Sequence, residues 1–228
     1  MLILALDQEG LILNYGSGFV LTKSGLVVTN RHVVEYARRA NGRLVIIFPG
    51  GGRWAIRNAV NVDAAYLEDL AVIRTGKRCE MYLELADSDQ ARFGMPVYAI
   101  GSPDTPRNFN KVTTGTLIGF NDEGDLVADV ETHPGSSGGP LVDEQGRVMG
   151  VVWGIESGFL TLVVPSNILG KFAGKQGGQV RREGRDQIAK RIFLLGERAE
   201  SAGDTSTAIR YYTAALAQNP KHDGAHFA

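Results

Sequence analysis

Short runs of apolar and β-branched residues, separated by turns that contain glycine, recur through the first 165 residues of this chain. One example is the run from Gly16 to Thr22, which is followed by a turn and then by Leu26 to Thr29, the pattern of a β-hairpin. About a dozen such runs can be counted. Glycine supplies the backbone conformations that tight turns need. The pattern therefore predicts a mainly β body, either two β-barrels or a sandwich.

A different pattern begins near residue 185. Apolar residues recur at helical spacing from Ile188 to Ala202, and a second helical face follows from Ala208 to Leu216, after a turn at Gly203. The preceding residues, 174–184, are polar, basic and rich in glycine, as is typical of a linker. We therefore predict three parts: a β domain over 1–173, a linker over 174–184 and an α-helical hairpin within 185–228.

Charge and composition exclude several classes of protein. The formal net charge is −1 with no long basic run, which argues against nucleic acid as the main ligand. Cys79 is the only cysteine, so no intramolecular disulfide and no cysteine-based metal site are expected. No apolar run is long enough to span a membrane. The apolar start from Met1 to Leu6 is too short for a signal peptide, but a chain that follows a removed signal would look the same, so localisation stays open.

The stretch from Gly135 to Pro140 has three glycines, two serines and a proline between two strand-like runs. A serine in such a turn can be held with its hydroxyl exposed, and the amides of Gly135 and Ser137 can point at a developing oxyanion. The alternative interpretation is an ordinary glycine-rich hairpin loop.

Two residues upstream could activate a serine. His32 follows a predicted strand, and a histidine held there suits a general base because its charge changes near neutral pH. Asp69 directly precedes an apolar strand and could hold the imidazole ring. The alternatives are a surface histidine and a turn aspartate. Asp63 and Glu68 are rivals for the role of Asp69.

Together these segments resemble the trypsin-like serine peptidases, in particular the HtrA/Deg branch. The resemblance covers residues 1 to about 170. Its motifs stand in the chain order of that family: Gly16 to Val20, Val28 to Val34, Asp69 to Ile73, Ala99 to Pro103, Val112 to Gly115, Gly135 to Pro140 and Pro165 to Asn167.

The resemblance implies two six-stranded antiparallel β-barrels with the active site in the cleft between them. His32 would act as general base and then acid, Asp69 would orient it, and Ser137 would be the nucleophile. The backbone amides of Gly135 and Ser137 would form the oxyanion hole. The implied reaction is hydrolysis of a peptide bond through an acyl-enzyme, without a cofactor or a metal.

The resemblance also implies substrate contacts. Glu131 falls where the family has the floor of its primary specificity pocket, and a carboxylate there would favour Lys or Arg before the scissile bond. The HtrA branch tends instead to small apolar residues, and Glu131 could equally face solvent. Trp153 and Gly154 resemble the edge strand that pairs with the substrate backbone. Val152 stands where many relatives carry a serine that supports the catalytic aspartate.

The tail resembles one tetratricopeptide repeat, where the HtrA branch usually continues into a PDZ domain. Leu195 and Gly196 match the leucine-glycine positions of the repeat, and Ala208, Tyr212 and Pro220 match its second helix. One repeat cannot bury its own face. The tail is therefore expected to pack on the β domain, to pair with another chain, or to begin a longer array that continues at 222–228.

These observations predict a serine endopeptidase that acts on protein or peptide substrates and uses a helical repeat to dock a protein partner. Relatives in the HtrA branch commonly form trimers, so an oligomer is also possible. Two alternatives stay open: a non-catalytic scaffold that binds peptides, and an adaptor in which the repeat is the working part.

Overall fold

The computed structural model describes residues 1–48, 52–57, 62–65, 68–103, 110–157, 159–174 and 185–220. Its first half contains one helix, α1 (Arg31–Arg39), and eight short strands. These strands are β1 (Leu2–Leu6), β2 (Ile12–Ser17), β3 (Phe19–Val20), β4 (Leu26–Asn30), β5 (Arg43–Ile47), β6 (Arg53–Arg57), β7 (Val62–Ala65) and β8 (Leu70–Arg74).

The described strands of the first half form two four-stranded antiparallel sheets, in the orders β2-β1-β5-β6 and β3-β4-β8-β7. Both sheets and α1 contribute to one core, in which Ile3, Val27, Val33, Leu44 and Ile73 are fully buried. The predicted closed six-stranded first barrel is therefore not confirmed, because the described strands do not join into a single ring.

The second half is a closed six-stranded barrel, as predicted, with the strand order β10-β11-β14-β13-β12-β9. The inward-facing side chains include Leu117, Phe120, Leu126, Leu141 and Val163, and all of them are essentially fully buried. Its strands are β9 (Pro96–Gly101), β10 (Lys111–Phe120), β11 (Leu126–Val130), β12 (Pro140–Val142), β13 (Val148–Glu156) and β14 (Leu160–Pro165).

Three helices follow the barrel: α2 (Ser166–Phe172), α3 (Arg185–Ser201) and α4 (Thr205–Gln218). The last two form the predicted hairpin. Gly203 at its turn has a φ of +78°, and Asp204 caps α4 by accepting a hydrogen bond from the Thr207 amide. Gly196 lets the helices approach closely, because a Cβ there would lie 2.5 Å from the Tyr212 ring.

The hairpin packs against the outer face of the barrel. Ile188 and Ile192 of α3 and Ala215 of α4 share a buried cluster with Ile118 and Val127 of the barrel strands. This is one of the arrangements that the sequence left open. The likeness to a tetratricopeptide repeat stays a prediction, and most of the predicted linker (175–184) and residues 221–228 lie outside the described residues. No helix in the described part of the chain is long and apolar enough to cross a membrane.

Candidate active site

His32 lies in the first turn of α1, directly after β4. Val33, Val34 and Ala37 are fully buried and fix this helix against the core. The His32 side chain is half-buried, and Asn14 of β2 donates a hydrogen bond to the His32 carbonyl oxygen at 2.9 Å. The imidazole is thus held on a rigid element and is still open to solvent.

Asp69 contacts His32 through two hydrogen bonds, one to the imidazole and one to the backbone amide. Its Oδ2 lies 2.5 Å from Nδ1 of the ring, and its Oδ1 accepts from the backbone amide of His32 at 3.0 Å. The pairing of β4 with β8, which sets Asn30 opposite Leu70, brings the two residues together. Asp69 has a φ of +50°, a strained value for a residue other than glycine.

The backbone of Asp69 is tied to the same turn. Its carbonyl oxygen accepts hydrogen bonds from the Arg31 amide at 2.9 Å and from Nδ2 of Asn30 at 3.1 Å. These contacts hold Asp69 in its strained conformation. The rival Asp63 is exposed and pairs with Arg74 at 3.0 Å.

Ser17 joins the loop of the candidate nucleophile to the first half of the chain. Its amide donates to the carbonyl oxygen of Ser137 at 2.7 Å, and its hydroxyl donates to the carbonyl oxygen of Gly135 at 2.7 Å. The same hydroxyl accepts from the Ser102 amide at 2.8 Å. The sequence pattern alone gives Ser17 no role, although a buried polar residue in a strand is a signal of such a contact.

Gly138 lies against the end of β4, close to the start of helix α1, which carries His32. A Cβ at Gly138 would lie 2.2 Å from the Ser17 carbonyl oxygen, 2.3 Å from Oγ1 of Thr29 and 3.0 Å from the Asn30 amide nitrogen. Ser137 is therefore next to a backbone that touches the strand leading to His32. The fold therefore brings the backbone at Ser137 to the end of β4, near the turn that holds His32 and Asp69, between the two halves of the domain.

We expect Gly138→Ala to destabilise the fold by about 3 kcal/mol or more, because it adds a steric clash to a backbone with a φ of +86°. Chemical denaturation measures the change in free energy of unfolding. The matched control is Gly146→Ala, because Gly146 has a φ of +74° and no atom within 4 Å of its Cβ position. The control variant should lose about 1 kcal/mol of unfolding free energy. Equal losses in the two variants would contradict the tight contact.

The amides of Gly135 and Ser137 donate no hydrogen bond to any other group in the described part of the chain. Gly135 has a φ of +96°, and a Cβ there would lie 2.5 Å from the Ser102 carbonyl oxygen. The amides of Ser136 and Gly138 do have partners, the carbonyl oxygens of His133 and Val152. The two predicted oxyanion-hole amides are thus the ones left available in this turn.

The predicted specificity residue Glu131 is mostly exposed, and its Oε1 lies 2.9 Å from Nε2 of His133. The hydrogen bond from His133, followed by the charge of that ring, lowers the pKa of the Glu131 carboxyl below its usual value. Glu131 thus stays ionised near neutral pH.

Strand β13 runs beside the nucleophile loop. The Gly138 amide donates to the Val152 carbonyl oxygen at 2.8 Å, and the Val152 amide donates to the Gly139 carbonyl oxygen at 2.9 Å. The ladder shifts register between Val152 and Gly154, which places Trp153 at the irregularity. Trp153 and Gly154, the predicted substrate-pairing residues, therefore directly follow the residue that contacts the loop.

The described residues contain no group of three or more His, Cys, Asp and Glu side chains placed to hold a metal ion. The site combines an imidazole hydrogen-bonded to a carboxylate, a turn that carries a serine, and two backbone amides without an acceptor in the described structure. Such a set can deprotonate a hydroxyl and stabilise an oxyanion.

The family model described as "Trypsin-like peptidase domain" matches residues 16–151. The chain is 34% identical over 153 residues to a "Probable periplasmic serine endoprotease DegP-like" of Chlamydia trachomatis, an alignment that covers 63% of this chain and 29% of that protein. It is 32% identical over 173 residues to "Serine protease Do-like HtrB" of Bacillus subtilis, covering 66% of this chain and 36% of that protein.

A human relative, "Serine protease HTRA4", is 36% identical over 146 residues, covering 60% of this chain and 29% of that protein. The chain thus spans about a third of the length of the curated relatives that it matches.

Proposed function

This chain belongs to the trypsin-like peptidase family, within its HtrA-like serine peptidases, and from that premise we propose that it is a serine endopeptidase with His32, Asp69 and Ser137 as its catalytic triad. The observation that carries the proposal is the 2.5 Å contact between Nδ1 of His32 and Oδ2 of Asp69, next to the turn that presents Ser137.

In the acylation step, Nε2 of His32 takes the proton of the Ser137 hydroxyl as the oxygen attacks the scissile carbonyl carbon. Asp69 fixes the ring with its proton on Nδ1, so that Nε2 is free to accept, and stabilises the imidazolium that forms. His32 then protonates the leaving amine, and the peptide bond breaks to leave an acyl-enzyme on Ser137.

The oxyanion of each tetrahedral intermediate would be bound by the amides of Gly135 and Ser137, which have no competing acceptor in the described structure. Water then attacks the ester, with His32 again taking and returning a proton. Atoms and charges balance in this cycle without a cofactor.

Two features of the barrel are proposed to bind the substrate: the edge of strand β13 and the carboxylate of Glu131. The backbone of an extended peptide would pair with β13 at Trp153 and Gly154, which gives affinity with little demand on sequence. The ionised carboxylate of Glu131 would favour Lys or Arg before the scissile bond. The helical hairpin is proposed to dock a protein partner, as a tetratricopeptide-like unit would.

Covalent labelling tests the proposed activity. We expect a fluorophosphonate to label the wild-type protein one-to-one and to leave Ser137→Ala unlabelled, as measured by intact-mass spectrometry. Ser136→Ala is the matched control and should keep the label, because Ser136 is buried and its hydroxyl accepts a hydrogen bond from the His133 amide at 3.3 Å. A folded wild-type protein that takes no label would favour the scaffold or adaptor alternatives.

A further inference from the structure

A cavity of about 580 Å³ lies between helix α4 and the segment that leads to Ser137. One wall is formed by Glu131, Thr132 and His133, which precede Ser137 by four to six residues. The lining also includes Ile155, which directly follows the proposed substrate-pairing pair Trp153 and Gly154. A side chain that enters between these residues would come from a peptide bound beside the nucleophile.

Helix α4 contributes Thr207, Arg210 and Tyr211 to the lining of the same cavity. We call these three residues the pocket floor. They come from the helical hairpin, and they lie beyond the residues 16–151 that the family model covers.

The pocket floor is fixed to the barrel by specific contacts. The Tyr211 hydroxyl donates a hydrogen bond to Oδ2 of Asp129 on β11. The Tyr211 ring meets the Phe159 ring edge-on at 5.5 Å, and the Arg210 guanidinium lies 4.5 Å from the centre of the same Phe159 ring. Burial and the hydrogen bond to Asp129 raise the pKa of Tyr211 above its ordinary value, so its hydroxyl remains a donor.

From this arrangement we infer that α4 forms the floor of the pocket that receives the substrate side chain before the scissile bond, and that Arg210 helps to determine specificity. The inference rests on the proposed endopeptidase function. It gives the hairpin a role in substrate selection that the protease domain alone would not have.

The charges around the cavity define what the pocket floor should do. Asp129 and Glu131 place two carboxylates at the cavity, which attract a basic side chain. Arg210 adds a positive charge that opposes a basic side chain and favours an acidic one. A long side chain reaches this region, whereas the methyl group of alanine is too short to do so.

The test uses one series of peptide substrates with Arg, Glu or Ala before the scissile bond and compares their kcat/KM values. Arg210→Ala is expected to raise kcat/KM for the Arg peptide about fivefold and to lower kcat/KM for the Glu peptide by a similar factor. For the Ala peptide, kcat/KM should change less than about twofold. Glu131→Gln should move the Arg-to-Glu ratio in the opposite direction.

The matched control is Lys190→Ala, which removes the same charge from an exposed position on α3 that does not line the cavity. It should leave all three values unchanged. The inference is overturned if Arg210→Ala changes the three substrates equally or changes none of them. Failure of the proposed peptidase activity can be distinguished from failure of this inference. In that case the wild-type protein would cleave no substrate and take no fluorophosphonate label.

Discussion

Replacing Ser137 by alanine is expected to lower kcat by about 10⁶, with no comparable loss of stability. The side chain is half-buried, and within the described structure the loop is held by backbone contacts to Ser17 and Val152, which alanine preserves. What disappears is the nucleophilic oxygen. The backbone amides that would bind the oxyanion remain, so about 10³–10⁴ of acceleration over the uncatalysed reaction should persist.

A double-mutant cycle with His32→Ala makes this prediction specific. Every proton that His32 moves belongs to a step of the reaction at Ser137, so removing both residues should cost little more than removing Ser137 alone. Active-site titration of the wild-type protein sets the enzyme concentration, and thermal unfolding checks that each variant is folded. Additive losses, multiplying to about 10¹², would show that the two residues do not act as a unit.

The β domain could be predicted because its signals are local. Turns at glycine and short runs of β-branched residues mark strands wherever they occur. Closure of the first half could not be predicted in the same way, because it depends on how sheet edges meet. In the described residues, Gly18 between β2 and β3 separates two sheets instead of continuing one ring.

The packing of the helical hairpin on the barrel could not be predicted from the sequence either. Leu117 and Ile118 point to opposite faces of β10, and both are fully buried, one in the barrel core and the other beneath the helices. An apolar residue on the outer face of a barrel indicates that something covers it. The sequence alone could not decide between the hairpin and a second chain as the cover.

The candidate triad could be proposed from motifs, but its geometry could not. His32 and Asp69 are 37 residues apart in sequence, and only the pairing of β4 with β8 makes them neighbours. Ser17 lacked a recognised role because the partners of its amide and hydroxyl, at positions 102, 135 and 137, come from the other half of the domain. The same reason applies to Thr207, Arg210 and Tyr211, because α4 lines one cavity with residues 131–133 only in the folded chain.

Asp69→Asn is expected to lower kcat by about 10⁴ while the fold remains intact. The reason lies in the two oxygens of Asp69, which accept from the His32 backbone amide and face Nδ1 of its ring. An asparagine has one oxygen and one NH₂ group. The backbone N–H of His32 can only donate, so the side-chain oxygen of the asparagine must face it. The NH₂ group of the asparagine must then face Nδ1.

The ring would then carry its proton on Nε2, the nitrogen that should accept the proton of Ser137. Asparagine tolerates a φ of +50° as well as aspartate does, so the loss should appear in kcat and not in the unfolding free energy. The matched control is Asp63→Asn, at an exposed carboxylate that pairs with Arg74, and it should change kcat less than twofold. A small effect at Asp69, or an equal effect at both positions, would mean that the 2.5 Å contact between His32 and Asp69 does not set the direction in which the histidine accepts a proton.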